Sequence, residues 1–158
     1  MLFTFISIYV HTLYDLKQLT ITFPPKADTG YDPSRSRVSD DKMNEFLRGQ
    51  LSGDLQEVPG IGPAAKKKLG QGDADGDIIT NTFQFVGKFL MLKGPDDGDE
   101  KVGTREHMEK FWYWLQEKGI SSHRSGIVRC IAEKMNAMMP GIYDASEYAD
   151  DDDDSDDE

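Results

Sequence analysis

The segment best suited to binding chemistry spans residues 58–69 and reads VPGIGPAAKKKL. Gly60 and Gly62 flank Ile61 in a tight turn, where glycine accepts positive φ and lets another chain approach closely. Pro63 suits the first position of a following helix, because its missing N–H would have no intrahelical acceptor there. The free amides of such a helix start, with the positive end of the helix dipole, favour a phosphate group. The spacing therefore predicts a helix-hairpin-helix motif that binds phosphate, with Ile61 filling the space between the helices.

Positive charge follows on the same predicted helix, after Ala64 in its first turn. Lys66, Lys67 and Lys68 lie within about two helical turns of the glycines and would place cations beside a bound phosphate. Contacts to phosphate and sugar position a protein on nucleic acid without reading its bases, so we expect sequence-independent binding. The alternative is a plain turn between two helices whose lysines are exposed to solvent.

A second segment with binding potential spans residues 119–126 and reads GISSHRSG. It ends one predicted helix and begins the next, and Ser121 or Ser122 is suited to cap the new helix. His123 and Arg124 would then occupy the first helical turn, where cations are unfavourable unless an anion is bound. The pattern predicts a second phosphate contact at Ser122, His123 and Arg124. The alternative is an ordinary helix start with a solvated arginine.

Six helical stretches are expected to position these two segments, and no strand is predicted between residues 43 and 142. The fold class is therefore all-α, a compact bundle of five to six short helices. The predicted helices span residues 42–51, 54–58, 63–69, 82–93, 105–118 and 122–139. The residues expected to face the core include Phe46, Phe83, Val86, Phe89, Met108, Phe111, Trp112, Leu115, Ile131, Met135 and Met138.

Tyr113 and Trp114 fall outside the predicted apolar face of their helix. An exposed aromatic pair of this kind would indicate a protein interface.

The formal net charge of −11 is concentrated at one end of the chain. Ten acidic residues and no basic one lie between residues 144 and 158, which leaves 19 acidic against 18 basic residues elsewhere. A run of like charges this dense repels itself, so we expect a disordered acidic tail. The chain is thus divided into an N-terminal extension and linker (1–42), a helical DNA-binding domain (43–142) and the tail (143–158).

The first ten residues, MLFTFISIYV, are apolar but too few to cross a bilayer, which takes about 20. They also lack the basic flank of a signal peptide. Three interpretations remain: a strand-like extension, a weak targeting segment, or an upstream extension of the gene model, of which we favour the last.

The sequence offers few residue patterns that would indicate catalysis or metal binding. One cysteine and three widely spaced histidines offer no zinc-ligand pattern. Residues 73–77, DADGD, are similar to a calcium loop, but the sixth position is Ile78 and the twelfth Gln84, so a solvated loop is expected. No catalytic triad, carboxylate pair or Walker-type phosphate loop is evident. We therefore expect a protein that is not an enzyme and has no cofactor.

The order of these motifs along the chain resembles the barrier-to-autointegration factor family. The hairpin is followed by FVGKFLMLK at residues 85–93, by FWYWL at 111–115 and by the Gly-led turn at 119–126. The similarity covers residues 53–139, and the GKFLMLK stretch is its most distinctive part. The chain departs from the family at Lys66, where the family has a small residue, in having only one cysteine, and in its acidic tail and long N-terminal extension.

The resemblance implies a homodimer that bridges two DNA duplexes, with one site in each subunit. It places phosphate contacts at the backbone amides of Gly60, Gly62 and Ala64, beside Ile61, and at Lys67 and Lys68, with a second contact at Ser122, His123 and Arg124. It also implies a nuclear location, with a cytoplasmic pool as an alternative, and partners at chromatin or the nuclear envelope without insertion into the membrane.

Two other hypotheses stay open. The first is a protein-interaction module of the same fold with a chromatin or histone partner, in which Tyr113, Trp114 and the acidic tail would matter most. The second is an accessory domain of a repair enzyme. The acidic tail itself would either compete with DNA for the hairpin, bind histones, or serve only solubility.

Overall fold

The computed structural model describes residues 30–72, 76–94 and 102–151. Five α-helices and three short 3-10 turns occur in these ranges, and no strand does, which confirms the predicted all-α class. The helices are α1 (Asp40–Arg48), α2 (Pro63–Leu69), α3 (Thr82–Lys93), α4 (Thr104–Glu117) and α5 (Arg124–Met138). The 3-10 turns are Pro33–Arg35, Leu55–Glu57 and Ala145–Asp151.

Some predictions concern residues outside these ranges. They are the three interpretations of the apolar N-terminus, most of the loop at 73–77, and the acidic residues after 151. Within the described part of the chain, no helix is long and apolar enough to cross a membrane.

The core lies where α4 packs between α3 and α5. Phe111 on α4 is fully buried, and its ring centroid lies 5.2 Å from those of both Phe85 and Phe89 on α3. The prediction that Phe83 faces the core is wrong, because Phe83 is 59% exposed while Phe85 is fully buried. Phe83, Phe85 and Phe89 do not all lie on one face of a helix. Packing against α4 buries the face that carries Phe85 and Phe89 and leaves Phe83 exposed.

Trp114 also corrects a prediction, since it was expected to be exposed and is 5% exposed. Its indole is stacked on Phe111, with 5.5 Å between ring centroids and 11° between ring planes. The ammonium groups of Lys88 and Lys118 lie 5.5 and 5.8 Å from its ring centroid. Because α4 is covered on two sides, by α3 and by α5, its buried face is wider than a single apolar stripe.

Helix α5 is buried along most of its length but not at its end. Met135 is 1% exposed, as predicted, whereas Met138 is 61% exposed and was wrongly expected to face inward. The last turn of α5 extends past the helices that cover it, and Met139 beyond it is 41% exposed.

The packed region is longer at both ends than the 43–142 interval that the sequence indicated. Tyr31 and Tyr143 are 5% and 7% exposed, and the rings of Tyr31 and Tyr148 meet edge to face at 5.3 Å. The Glu147 carboxylate accepts hydrogen bonds from the amides of Thr104 (3.2 Å) and Arg105 (3.1 Å) at the start of α4. An acidic side chain at a helix N-terminus is favourable, which explains why this part of the acidic segment is packed.

Candidate phosphate-binding site

The hairpin forms as its glycines require. Gly60 has φ of 96°, in the region that favours glycine, and an added Cβ there would lie 2.9 Å from Cγ1 of Ile127 on α5. Ile61 is 5% exposed, and its amide donates to the Val58 carbonyl at 3.0 Å, which closes the turn. Gly60 is therefore needed both for its backbone conformation and for the close approach of the hairpin to α5.

Helix α2 begins at Pro63 with its first amides unused. Its N-cap, Gly62, has extended backbone and provides no side-chain cap. The first helical backbone bond runs from the Lys66 amide to the Gly62 carbonyl at 2.9 Å. The amides of Gly62, Ala64 and Ala65 donate to no residue that the structure describes. Unused donors at a helix start are the groups that bind anions.

The second predicted segment forms a turn between α4 and α5. Gly119, with φ of 73°, ends α4, and the Ile120 amide returns to the Leu115 carbonyl at 3.0 Å, as in a Schellman motif. The N-cap of α5 is His123, which corrects the expectation of Ser121 or Ser122. His123 has φ of 62° and is the one non-glycine residue in left-handed conformation among the described residues. No side chain caps α5, so its first amides are also uncapped.

These two turns face each other across one pocket of about 280 Å³. It brings together six predicted site residues: Gly60, Gly62, Ala64, Lys68, Ser122 and His123. Four further lining residues were not predicted: Pro63, Ala65, Ile120 and Ser121. Their types carry no signal for binding, because they contribute mostly backbone and small side chains.

Three predicted site residues do not line the pocket. Ile61 is buried beneath the hairpin, and Lys67 is exposed on the outer surface of α2. Arg124 turns instead to α4, with its guanidinium 3.7 Å from the ring centroid of Trp112. Burial against this ring lowers the pKa of Arg124 from its usual value, although the guanidinium remains a cation.

The three hairpin lysines have different surroundings. The Lys66 ammonium pairs with the Asp54 carboxylate at 2.8 Å, and this hydrogen bond lowers the pKa of Asp54. The Lys68 ammonium donates to the Gly119 carbonyl at 2.5 Å. Lys66 therefore pairs with an exposed carboxylate outside the pocket, whereas Lys68 reaches across to the α4–α5 turn.

The described residues contain no group of three or more histidine, cysteine, aspartate or glutamate side chains placed to hold a metal ion. The Cys130 thiol is fully buried in α5, and burial raises its pKa to about 12, which keeps it protonated and unreactive near neutral pH.

The chain was compared with protein-family models, with curated proteins and with solved structures, and no match was found. The resemblance to the barrier-to-autointegration factor family therefore rests on the motifs and their order alone.

Proposed function

We propose that this protein binds the phosphate backbone of double-stranded DNA without reading its sequence. The observation that carries the proposal is the pocket between the hairpin and the α4–α5 turn. Two segments 59 residues apart at Gly60 and Gly119 each predicted a phosphate contact, and in the folded chain they line one cavity.

The chemistry of the pocket suits a phosphodiester. Its walls present backbone amides from the start of α2, the uncapped start of α5, and the hydroxyls of Ser121 and Ser122. The positive end of the α5 dipole and the Lys68 ammonium favour an anion, and none of the described residues that line the cavity is acidic. Amides and hydroxyls that contact phosphate carry no base specificity, which supports sequence-independent binding.

The outer face of α3 supports association of two copies. Phe83 is 59% exposed and Met91 is 63% exposed, and Gly87 lies between them at helical spacing with no atom within 4 Å of an added Cβ. We name these three residues the α3 stripe. We infer a homodimer that pairs this stripe with its copy and thereby bridges two duplexes. A nuclear location and chromatin or nuclear-envelope partners are part of the same proposal.

A salt titration of duplex binding tests the proposal. Affinity for a random-sequence duplex should fall steeply as KCl rises, because bound phosphates release their counterions. Ser122→Glu, which puts a carboxylate in the pocket, should lower affinity at least about tenfold. Gln116→Glu makes the same change of charge on an exposed position of α4 outside the pocket and should have little effect. Equal losses for both variants, or affinity independent of salt, would contradict phosphate binding in this pocket.

The alternative is a protein-interaction module of the same fold without strong DNA binding. The α3 stripe favours it, because exposed apolar side chains at helical spacing are also suited to a protein partner. Trp114, which this hypothesis needed at the surface, is buried. Under this alternative the duplex titration shows no binding while substitution of Phe83 abolishes capture of a chromatin or histone partner.

A further inference from the structure

Lys68 connects the two walls of the pocket. It belongs to α2, and its ammonium donates to the carbonyl of Gly119, 51 residues away at the end of α4. The described residues of these two segments form no backbone–backbone hydrogen bond with each other, so the bond from Lys68 joins them through a side chain. Gly60 packs against His123 and Ile127 on one side of the pocket, and Lys68 adds a second connection between α2 and the end of α4.

The end of α4 is a favourable place for a cation. The negative end of the helix dipole lies there, and Gly119 follows the last helical turn with a carbonyl that the helix does not use. The aliphatic part of Lys68 also packs on Gly119, because an added Cβ at Gly119 would lie 3.7 Å from Cδ of Lys68. Both interactions hold Lys68 across the pocket in the absence of ligand.

Lys67 provides the contrast. It is the next residue on the same helix, it is exposed, and it makes no hydrogen bond or ion pair to any residue that the structure describes. Its ammonium is free to approach a phosphate, whereas that of Lys68 already has an acceptor.

We propose that Lys68 is a positioning residue that clamps the two walls of the pocket together through Gly119, and that Lys67 supplies the mobile charge. This inference rests on the proposed function and reassigns Lys68, which the resemblance treats as a phosphate contact. DNA then binds to walls already held at the correct separation, and loss of the clamp weakens binding through geometry.

The first experiment needs no DNA. Amide hydrogen exchange of residues 119–123 is measured in the full chain and in Lys68→Gln, Lys67→Gln and Lys68→Arg. Lys68→Gln should accelerate exchange in this turn several-fold, because the turn loses its tie to α2. Lys67→Gln should leave it unchanged. Lys68→Arg, which can still donate to the carbonyl, should restore slow exchange.

The second experiment measures duplex binding of the same proteins at several KCl concentrations. Lys67→Gln should reduce the slope of log affinity against log salt by about 0.9, the value for one lost phosphate contact. Lys68→Gln should lower affinity about tenfold with a smaller change of slope, and Lys68→Arg should recover most of that loss.

The outcomes separate the two proposals. If Lys68→Gln leaves exchange at 119–123 unchanged and reduces the salt slope as Lys67→Gln does, Lys68 is a direct ligand and the clamp is wrong. If the wild-type chain binds no duplex, the proposed function fails, while faster exchange in Lys68→Gln still establishes the clamp.

Discussion

At the scale of single residues, His123 is held in a conformation that costs free energy. Left-handed backbone at a residue with a Cβ is unfavourable by about 1 kcal/mol, and such strain tends to occur at binding sites. The Cβ of His123 packs against Gly60, and a Cβ added at Gly60 would lie only 3.3 Å from it. The absence of a side chain at Gly60 therefore makes room for His123 in this conformation. The imidazole is thereby kept at the pocket, on the wall opposite the hairpin.

Replacing this histidine by glycine should separate stability from binding. We expect His123→Gly to raise the free energy of unfolding by about 0.5–1 kcal/mol, because glycine adopts positive φ without strain, and to weaken duplex binding. His123→Ala should weaken binding similarly without the gain in stability, since alanine keeps the strained backbone. Urea denaturation and duplex titration measure the two effects. A less stable glycine variant would show that the imidazole supports the fold.

His107 gives the fold a dependence on pH. It is 1% exposed on α4, and one ring nitrogen donates to the Phe89 carbonyl at 2.7 Å. Burial lowers its pKa from the model-peptide value of 6.5 despite this bond, and the nearby charges of Lys93 and Lys110 lower it further. The folded protein therefore holds His107 neutral, while the unfolded chain takes up a proton once the pH falls below about 6.5.

The contribution of neutral His107 to the free energy of unfolding is fully present above pH 6.5. It is lost as the pH falls toward the lowered pKa of His107 in the folded state. We expect the free energy of unfolding to decrease between pH 7 and pH 5, by at most about 1.4 kcal/mol per pH unit from this group. Glu109 acts in the opposite direction, because burial raises its pKa and the folded state retains its proton longer. Urea denaturation of wild type and His107→Gln across this range isolates the histidine. Parallel pH profiles would refute its role.

At the scale of helices, Lys134 of α5 caps the C-terminal end of α1. Its ammonium is buried and donates to the carbonyls of Phe46 (3.0 Å), Leu47 (2.8 Å) and Gly49 (2.5 Å) at the end of α1. These carbonyls have no further amide to accept in their own helix, and the negative end of the α1 dipole adds to the attraction. One side chain therefore satisfies three carbonyls at the end of α1.

Lys134→Met should be strongly destabilising, because it leaves buried carbonyls unpaired. We expect a loss of about 2–4 kcal/mol in the free energy of unfolding. Lys110→Met removes an equal charge but only an exposed pair with Glu106 on the same helix, and it should cost less than about 0.5 kcal/mol. Urea denaturation of both variants makes the comparison, and similar losses would contradict the capping role of Lys134.

Helix boundaries could be predicted from the sequence where a nearby residue, such as a proline or a capping side chain, begins the helix. The bounds of α2 and α3 agree with prediction, because Pro63 begins one and the Asn81 side chain, which accepts the Gln84 amide at 2.9 Å, caps the other. Both turns of the candidate pocket were also indicated by residue type. The exposure of Phe83 and the tie of Lys68 to Gly119 were not, since both depend on how the helices pack rather than on nearby sequence.

At the scale of the whole molecule, α4 separates Glu147 from the candidate pocket. Its first turn binds Glu147 of the acidic segment, while its last turn leads to Ile120 and Ser121 in the pocket wall. A helix of 14 residues is about 21 Å long, more than two Debye lengths at physiological salt. The charge of Glu147 is therefore screened from an anion in the pocket, because the two lie at opposite ends of one helix.

The α3 stripe predicts the oligomeric state. The full chain should sediment as a dimer, and the double variant Phe83→Asp/Met91→Asp should be a monomer, because each copy would bring two carboxylates to the proposed interface. Met138→Asp, which changes an equally exposed residue at the end of α5, should remain dimeric.

Bridging should disappear with the dimer while binding to one duplex persists. Light scattering of protein with duplex DNA distinguishes these, since only a dimer with two sites brings duplexes together into larger particles. The pocket of each subunit is built from α2 and the α4–α5 turn, not from α3, so the monomeric variant should retain the affinity of a single site. If the double variant still dimerises, or if it loses single-site binding as well, the stripe does not have the role that its exposure indicates.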